Sequence, residues 1–393
     1  MAVKKQFHIF PLIFAVLMVG CTMAWGGRMA TPRSAGFAPI VRGTMSPSAT
    51  AENQVSAPPA ISAPTGTHQF EIPTQTAPPS PVETEVAFEV GKEITIEYLR
   101  DLEITGSEIT FERDLGATFY YQQHLVSYIS EGNKIYGLLT IPAEEPSEGG
   151  FKAIVFNHGY IPPTVYQTTE RYVAYVDYLA RNGFVVFKID LRGHGRSQGE
   201  PTGSYFSPGY TIDAIAALKS LQTMEVIDPQ GIGMWGHSMA GNLVLRAMLV
   251  EPDVKAGVIW AGAVYSYDDF GKYGIDDNTY RPPETVETQE ASGGRRRSRE
   301  IFDTYGRPDT RVDYWKAVSL TENIALLNSP LQLHHAQDDP VVNIGYSFDL
   351  AAVLQENGKP YEFYSYDGGG HNLNSPYFEQ AMQRTVAFFR ENL

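Results

Sequence analysis

The 393-residue sequence predicts an α/β fold, a mostly parallel sheet covered by helices on both faces, and three observations carry that expectation. Short apolar runs alternate with segments of helical length from residue 153 to the C-terminus, the order that gives parallel strands joined by helical crossovers. Segments of alternating apolar and polar residues precede them, as antiparallel strands would. The residues able to do chemistry fall just past the C-terminal ends of the apolar runs, where ligands bind in such a sheet.

Taken in order, the chain opens with Lys4 and Lys5 ahead of an apolar stretch over 9–19 that closes on Gly20-Cys21. This is the form of a signal peptide over residues 1–20, too short to span a bilayer comfortably. Residues 21–81 are dominated by Ala, Pro, Ser and Thr, cannot bury enough apolar surface to offset their ordering entropy, and read as a semi-extended tether. The folded domain is expected over 82–393. Its first part should be antiparallel strands at 108–113, 120–128 and 134–142, with a turn at Glu131-Gly132-Asn133. Parallel strands follow at 153–157, 184–190, 231–236, 256–260, 330–335 and 361–366. The long connection at about 264–325, rich in Pro, Glu and Gly near its middle, reads as a partly helical cap insertion. No internal repeat is visible.

Composition narrows the partners. A formal charge of −15 argues against nucleic acid, whose phosphates call for a basic surface, and the run Arg295-Arg296-Arg297-Ser298-Arg299 reads as a solvated helix start. Cys21 is the sole cysteine, so the chain contains no internal disulfide.

The chemistry centres on Gly236-His237-Ser238-Met239-Ala240-Gly241, which follows an apolar run and precedes a helical pattern. A serine at a sharp strand-to-helix turn needs small residues two before and two after it, and Gly236 and Ala240 meet that need although the second glycine is displaced to 241. Ser238 is thus the candidate nucleophile, and the N–H of Met239 at the helix start is one candidate oxyanion donor. A serine hydroxyl needs a base, and the base a carboxylate. His334, His335 and His371 are the histidines downstream. His371 lies in a late glycine-rich loop and is the candidate base, whereas His334 and His335 read as packing or hydrogen-bonding residues with no third metal ligand spaced nearby.

With those residues in place, His335-Ala336-Gln337-Asp338-Asp339-Pro340-Val341-Val342 resembles the H-G-x-x-D-x-x-V stretch of α/β hydrolases of the prolyl oligopeptidase and dienelactone hydrolase type, with Ala336 in place of the glycine. The ungapped fit implies Asp339 as the acid, with Asp338 as the alternative. Asn157-His158-Gly159-Tyr160 resembles the oxyanion loop of the same family, which implies the N–H of Tyr160 as the second oxyanion donor and a structural role for His158. The segment from Asp190 to Ser197 resembles the family's D-x-R-G-x-G-x-S loop and is expected to be scaffold. Met18-Val19-Gly20-Cys21 resembles a bacterial lipobox, implying a lipid on Cys21 and attachment to a bacterial membrane; plain secretion is the alternative.

The resemblance implies an α/β hydrolase fold and a serine hydrolase with a Ser238-His371-Asp339 triad. It would act through an acyl-enzyme on a small ester or peptide, as a prolyl oligopeptidase-like peptidase or a carboxylesterase, and would need no metal or organic cofactor. A non-catalytic binding protein on the same scaffold is the reading from another class.

Overall fold

A computed structural model describes residues 88–274 and 289–393, the latter with backbone alone over 289–296. The expected signal peptide, Cys21, the tether and the middle of the 264–325 segment lie outside the described residues. Among the described residues no helix is long and apolar enough to cross a membrane.

After a short helix, α1 (Ile96–Asp101), come the strands β1 (Thr110–Ala117), β2 (Tyr121–Ser130) and β3 (Asn133–Pro142). They form an antiparallel meander. The turn joining β2 to β3 is tighter than the sequence suggests, because Glu131 and Gly132 both take positive φ, 45° and 77°, and so close a two-residue hairpin whose primed geometry matches strand twist. Alternation then gives β4 (Phe151–Asn157), α2 (Val173–Arg181), β5 (Val185–Ile189), α3 (Gly209–Leu221), β6 (Ile227–His237), α4 (Met239–Val250) and β7 (Gly257–Trp260). Between β7 and the next strand lie α5 (Tyr267–Tyr273), α6 (Gln289–Tyr305) and α7 (Asp313–Val318). β8 (Leu331–Ala336), α8 (Gly345–Glu356), β9 (Tyr361–Tyr366) and α9 (Tyr377–Asn392) complete the chain.

The nine strands make one sheet in the order β1-β2-β3-β5-β4-β6-β7-β8-β9, parallel from β5 onward. Successive side chains of a strand point to opposite faces, and the two cores divide accordingly. Ala153 and Val155 of β4 join the core under α3, α4 and α8, whereas Ile154 and Phe156 join the core under α2 and α9. Burial on both faces explains why β4, β5 and β7 read as largely apolar runs. Two boundaries differ from the sequence expectation. β6 starts at Ile227 rather than 231, because Phe151 pairs with Ile227 ahead of an irregularity in register. β1 runs later, over Thr110–Ala117, with bulges that the alternation pattern did not reveal.

The order reverses around β4, whose neighbours are β5 on one side and β6 on the other. This switch point opens a crevice beyond the C-terminal ends of the strands, and the loops after β4, β6, β8 and β9 meet there.

Candidate active site

Ser238 stands between the last residue of β6 and the first of α4 with φ 56° and ψ −121°. For a non-glycine residue this conformation costs on the order of 1–3 kcal/mol and persists only where its surroundings enforce it. The Ser238 N–H donates to Trp260 O at 2.9 Å, and the Gly241 N–H donates to Ser238 O at 2.9 Å. Small flanking residues are obligatory: a Cβ on Gly236 would lie 2.6 Å from Ala240 O, and one on Gly241 would lie 2.6 Å from Gly262 Cα. Met239 supplies the first N–H of α4, at the positive end of the helix dipole.

The candidate acid and the candidate base meet. Asp339 Oδ2 accepts from His371 Nδ1 at 2.8 Å, and its Oδ1 accepts from the N–H groups of Val341 and Val342 at 2.8 and 3.0 Å. Burial pushes the Asp339 carboxyl up, but hydrogen bonds from His335 and His371 outweigh it and hold the group well below the usual carboxylate range. Asp338 faces the other way. Its Oδ1 accepts from the Gly370 N–H at 2.8 Å, so it braces the histidine loop and does not touch the His371 ring. Ser238 and His371 line the same cavity, although no hydrogen bond joins their side chains among the described residues. Such contacts are often long before substrate binds.

Gly159 and Tyr160, after β4, face the elbow; a Cβ on Gly159 would lie 3.2 Å from Ser238 Cβ. The loop beyond them is anchored from below by Asp190, which accepts from Tyr166 Oη at 2.7 Å and from Thr168 Oγ1. His158 is buried, stacks on Tyr166 with ring centroids 4.5 Å apart, and is driven well below its ordinary pKa by burial. Arg192 grips Asp213 and reaches Glu131 at 2.8 Å, tying the segment after β5 to the β2–β3 turn. These are the scaffold roles expected of both segments.

The cavity holds about 740 Å³. Its walls are Tyr160, Ile161 and Pro162 on one side, Tyr205 and Phe206 on another, and Tyr172 and Tyr175 from the start of α2. Ser298 of α6 also lines it, and Phe206 packs edge-on against Phe302 of α6 at 5.5 Å. From the basic run, Arg297 pairs with Glu93 rather than standing free in solvent. His334 and His335 are both buried and hydrogen-bonded, to Tyr366 and Gln332 and to Ser347 and Val342. Sequence reasoning missed that His335 Nε2 also sits 3.2 Å from Asp339 Oδ2, and it missed Tyr172 and His237 altogether. The His335 contact had a signal: its spacing of four from Asp339 across a turn.

Four buried histidines give a pH prediction. Burial pushes His237 down to about 3, drives His158 and His334 well below their ordinary value, and lowers His194. Each is neutral in the native state but takes a proton near pH ~6.5 when unfolded, so the stability it contributes is complete above ~6.5 and declines as pH falls toward the native pKa, by up to ~1.4 kcal/mol per pH unit. Asp190 and Asp269, both pushed up to about 6 chiefly by burial, work in the opposite sense, with two groups set against four. The melting temperature should therefore fall steadily from pH 7 to pH 5. A flat profile over that range would contradict the neutral assignments.

Comparison with known proteins bears on the fold and the enzyme class. A family model described as Serine aminopeptidase, S33 matches residues 151–274, and one described as BAAT / Acyl-CoA thioester hydrolase C terminal matches residues 213–393. The Bacillus subtilis (strain 168) protein described as the uncharacterized peptidase YtmA is 25% identical over 251 residues, 63% of this chain and 85% of the relative. Acetyl xylan esterase 1 from Thermoanaerobacterium sp. JW/SL YS485 superposes with a TM-score of 0.55 at 15% identity, covering 76% of this chain and 93% of that one. A puromycin-hydrolyzing peptidase of Mycobacterium tuberculosis superposes with a TM-score of 0.54 at 20% identity, covering 70% of this chain but 40% of that one. At such identities the superpositions speak to the fold, and the fold they share is the one built here around the Ser238 elbow. Esterases and peptidases alike use it: the chain has an α/β-hydrolase fold, and with the matched family models the protein is a serine hydrolase.

Proposed function

We propose that the protein hydrolyses carboxylic esters through an acyl-enzyme on Ser238. The observation that carries the reading is the 2.8 Å bond from His371 Nδ1 to Asp339 in a cavity that Ser238 shares. With Nδ1 held as a donor, Nε2 carries the lone pair that removes the Ser238 proton as Oγ attacks the carbonyl carbon. The oxyanion is received by the N–H groups of Tyr160 and Met239, and His371 then passes its proton to the departing alcohol. Water repeats the sequence on the acyl group and restores Ser238.

The choice of ester over the removal of amino-terminal residues rests on charge. Arg171 is the one Asp, Glu, Lys or Arg among the described lining residues, and its guanidinium is a cation. A substrate ammonium held within ~6 Å of it would meet a repulsion of ~1–3 kcal/mol, depending on screening. A neutral or anionic acyl group meets none. Amide hydrolysis by the same machinery is the second reading, supported by the description of the Bacillus subtilis relative as a peptidase.

The test is a fluorophosphonate probe followed by a matched panel of p-nitrophenyl esters, blocked aminoacyl p-nitroanilides and free aminoacyl p-nitroanilides. Probe labelling with kcat/KM highest for the esters is expected. Changing Arg171 to Gln should raise kcat/KM for free aminoacyl substrates by roughly tenfold relative to blocked ones, the equivalent of ~1.4 kcal/mol. Faster cleavage of free aminoacyl anilides than of esters by the wild type would replace the ester reading with the peptidase one.

A further inference from the structure

Three separate segments must keep register for the proposed chemistry: the oxyanion loop, the elbow, and the loop carrying the base. Two side chains connect them. The Gly159 N–H donates to Tyr172 Oη at 2.9 Å, Tyr172 Oη lies 2.8 Å from His237 Nδ1, and His237 Nε2 lies 2.8 Å from the carbonyl oxygen of His371. Every proton in this chain is fixed by its ends. A carbonyl can only accept, so Nε2 of His237 carries a hydrogen. The ring is buried and neutral, so Nδ1 must accept, and the Tyr172 hydroxyl must donate to it while its own lone pair receives the Gly159 N–H.

Two further observations show that Tyr172 is placed for this and not merely packed. It occupies the N-cap position of α2 with φ 60° and ψ 22°, a left-handed conformation that bulky side chains rarely adopt, yet its side chain bonds to Gly159 and His237 rather than to the helix end. Its hydroxyl also occupies the space at residue 159, since a Cβ there would lie 2.8 Å from Tyr172 Oη. One helical turn further on, Tyr175 Oη donates to Asn372 O at 2.9 Å, so the first turn of α2 holds the base-bearing loop at a second point.

We infer that Tyr172 and His237 are positioning residues, whose hydrogen-bonded chain from Gly159 to the His371 carbonyl sets the distance between the oxyanion donor and the base. The inference rests on the catalytic reading of Ser238 and His371 given above. Neither side chain transfers a proton to substrate. They act by keeping His371 within reach of Ser238 while the N–H of Tyr160, next to Gly159, stays aimed at the same carbonyl oxygen. A misplacement of about 1 Å at such a site can cost on the order of 100-fold in rate.

The experiment compares wild type, Tyr172→Phe, His237→Gln and the double variant on one p-nitrophenyl ester, with fluorophosphonate labelling and thermal melting alongside. Tyr172→Phe keeps the ring and removes the hydroxyl. It should lower kcat by about 10- to 100-fold, with KM changed less than about threefold, and slow probe labelling in proportion, while melting stays cooperative. Because both residues act through one chain, the double variant should be no slower than the slower single variant. A cooperatively melting Tyr172→Phe with kcat within about threefold of wild type would overturn the inference, as would losses that multiply in the double variant. Should Tyr172→Phe fail to fold, His237→Gln decides by the same split of kcat from KM. A wild type that neither labels nor turns over would instead refute the catalytic reading, a result separable from these.

Discussion

Changing Ser238 to alanine is expected to lower ester turnover by about 10⁶-fold and abolish fluorophosphonate labelling, with the melting temperature within a degree or two of wild type. Alanine retains the Cβ and the backbone conformation, and the two bonds that hold the elbow, from Ser238 N–H to Trp260 O and from Gly241 N–H to Ser238 O, involve main-chain atoms alone. What disappears is the hydroxyl, which makes no hydrogen bond among the described residues and so contributes little to stability. Rates measured under single-turnover conditions on purified protein check the prediction. Activity persisting above about one part in a thousand would mean that another group attacks the ester.

The second large effect separates two adjacent carboxylates. Asp339→Asn should lower kcat by about 10⁴-fold. Its remaining oxygen would stay with the N–H groups of Val341 and Val342, which turns the new NH₂ toward His371 and forces the ring into the tautomer whose Nδ1 accepts. The Nε2 that should take the serine proton would then already carry one. Asp338→Asn should cost less than about tenfold, because an amide oxygen still accepts from the Gly370 N–H. Steady-state kinetics on the two variants, with melting curves as controls, decides the matter. A greater loss in Asp338→Asn would reverse the roles assigned to the pair.

Much of this was legible in the sequence, for identifiable reasons. The parallel strands announce themselves because both faces of the sheet are covered, so β4 and β5 read as apolar runs broken by a single lysine each, and β6 as an apolar run over its later residues. The elbow is local: Gly236, Ser238 and Ala240 fall within five residues, and their steric demand is written in their sizes. Asp339 and Asp338 were harder, since sequence places both in one loop. Only the bond to His371 and the opposed bond to Gly370 tell them apart. Tyr172 and His237 left no trace, because their partnership spans 65 residues and that of His237 with His371 spans 134. No spacing rule links side chains that meet only after the sheet has brought α2, β6 and the loop after β9 together. The start of β6 was misread for a similar reason: its early residues extend the strand by pairing with Phe151, not by any apolar pattern of their own.

The contact between Gly159 and Tyr172 bears on how descendants of this protein could change. A methyl group at 159 would stand 2.8 Å from the tyrosine oxygen, so a lineage that acquired alanine in place of Gly159 would have to shrink residue 172 at the same time. Shrinking residue 172 alone leaves the 159 N–H and the imidazole of His237 without their shared partner, a burden natural selection would register at once. Either step taken first carries a cost. The two positions should therefore be inherited as a unit, and sister sequences should carry glycine with tyrosine or a different pair altogether, with intermediate combinations missing.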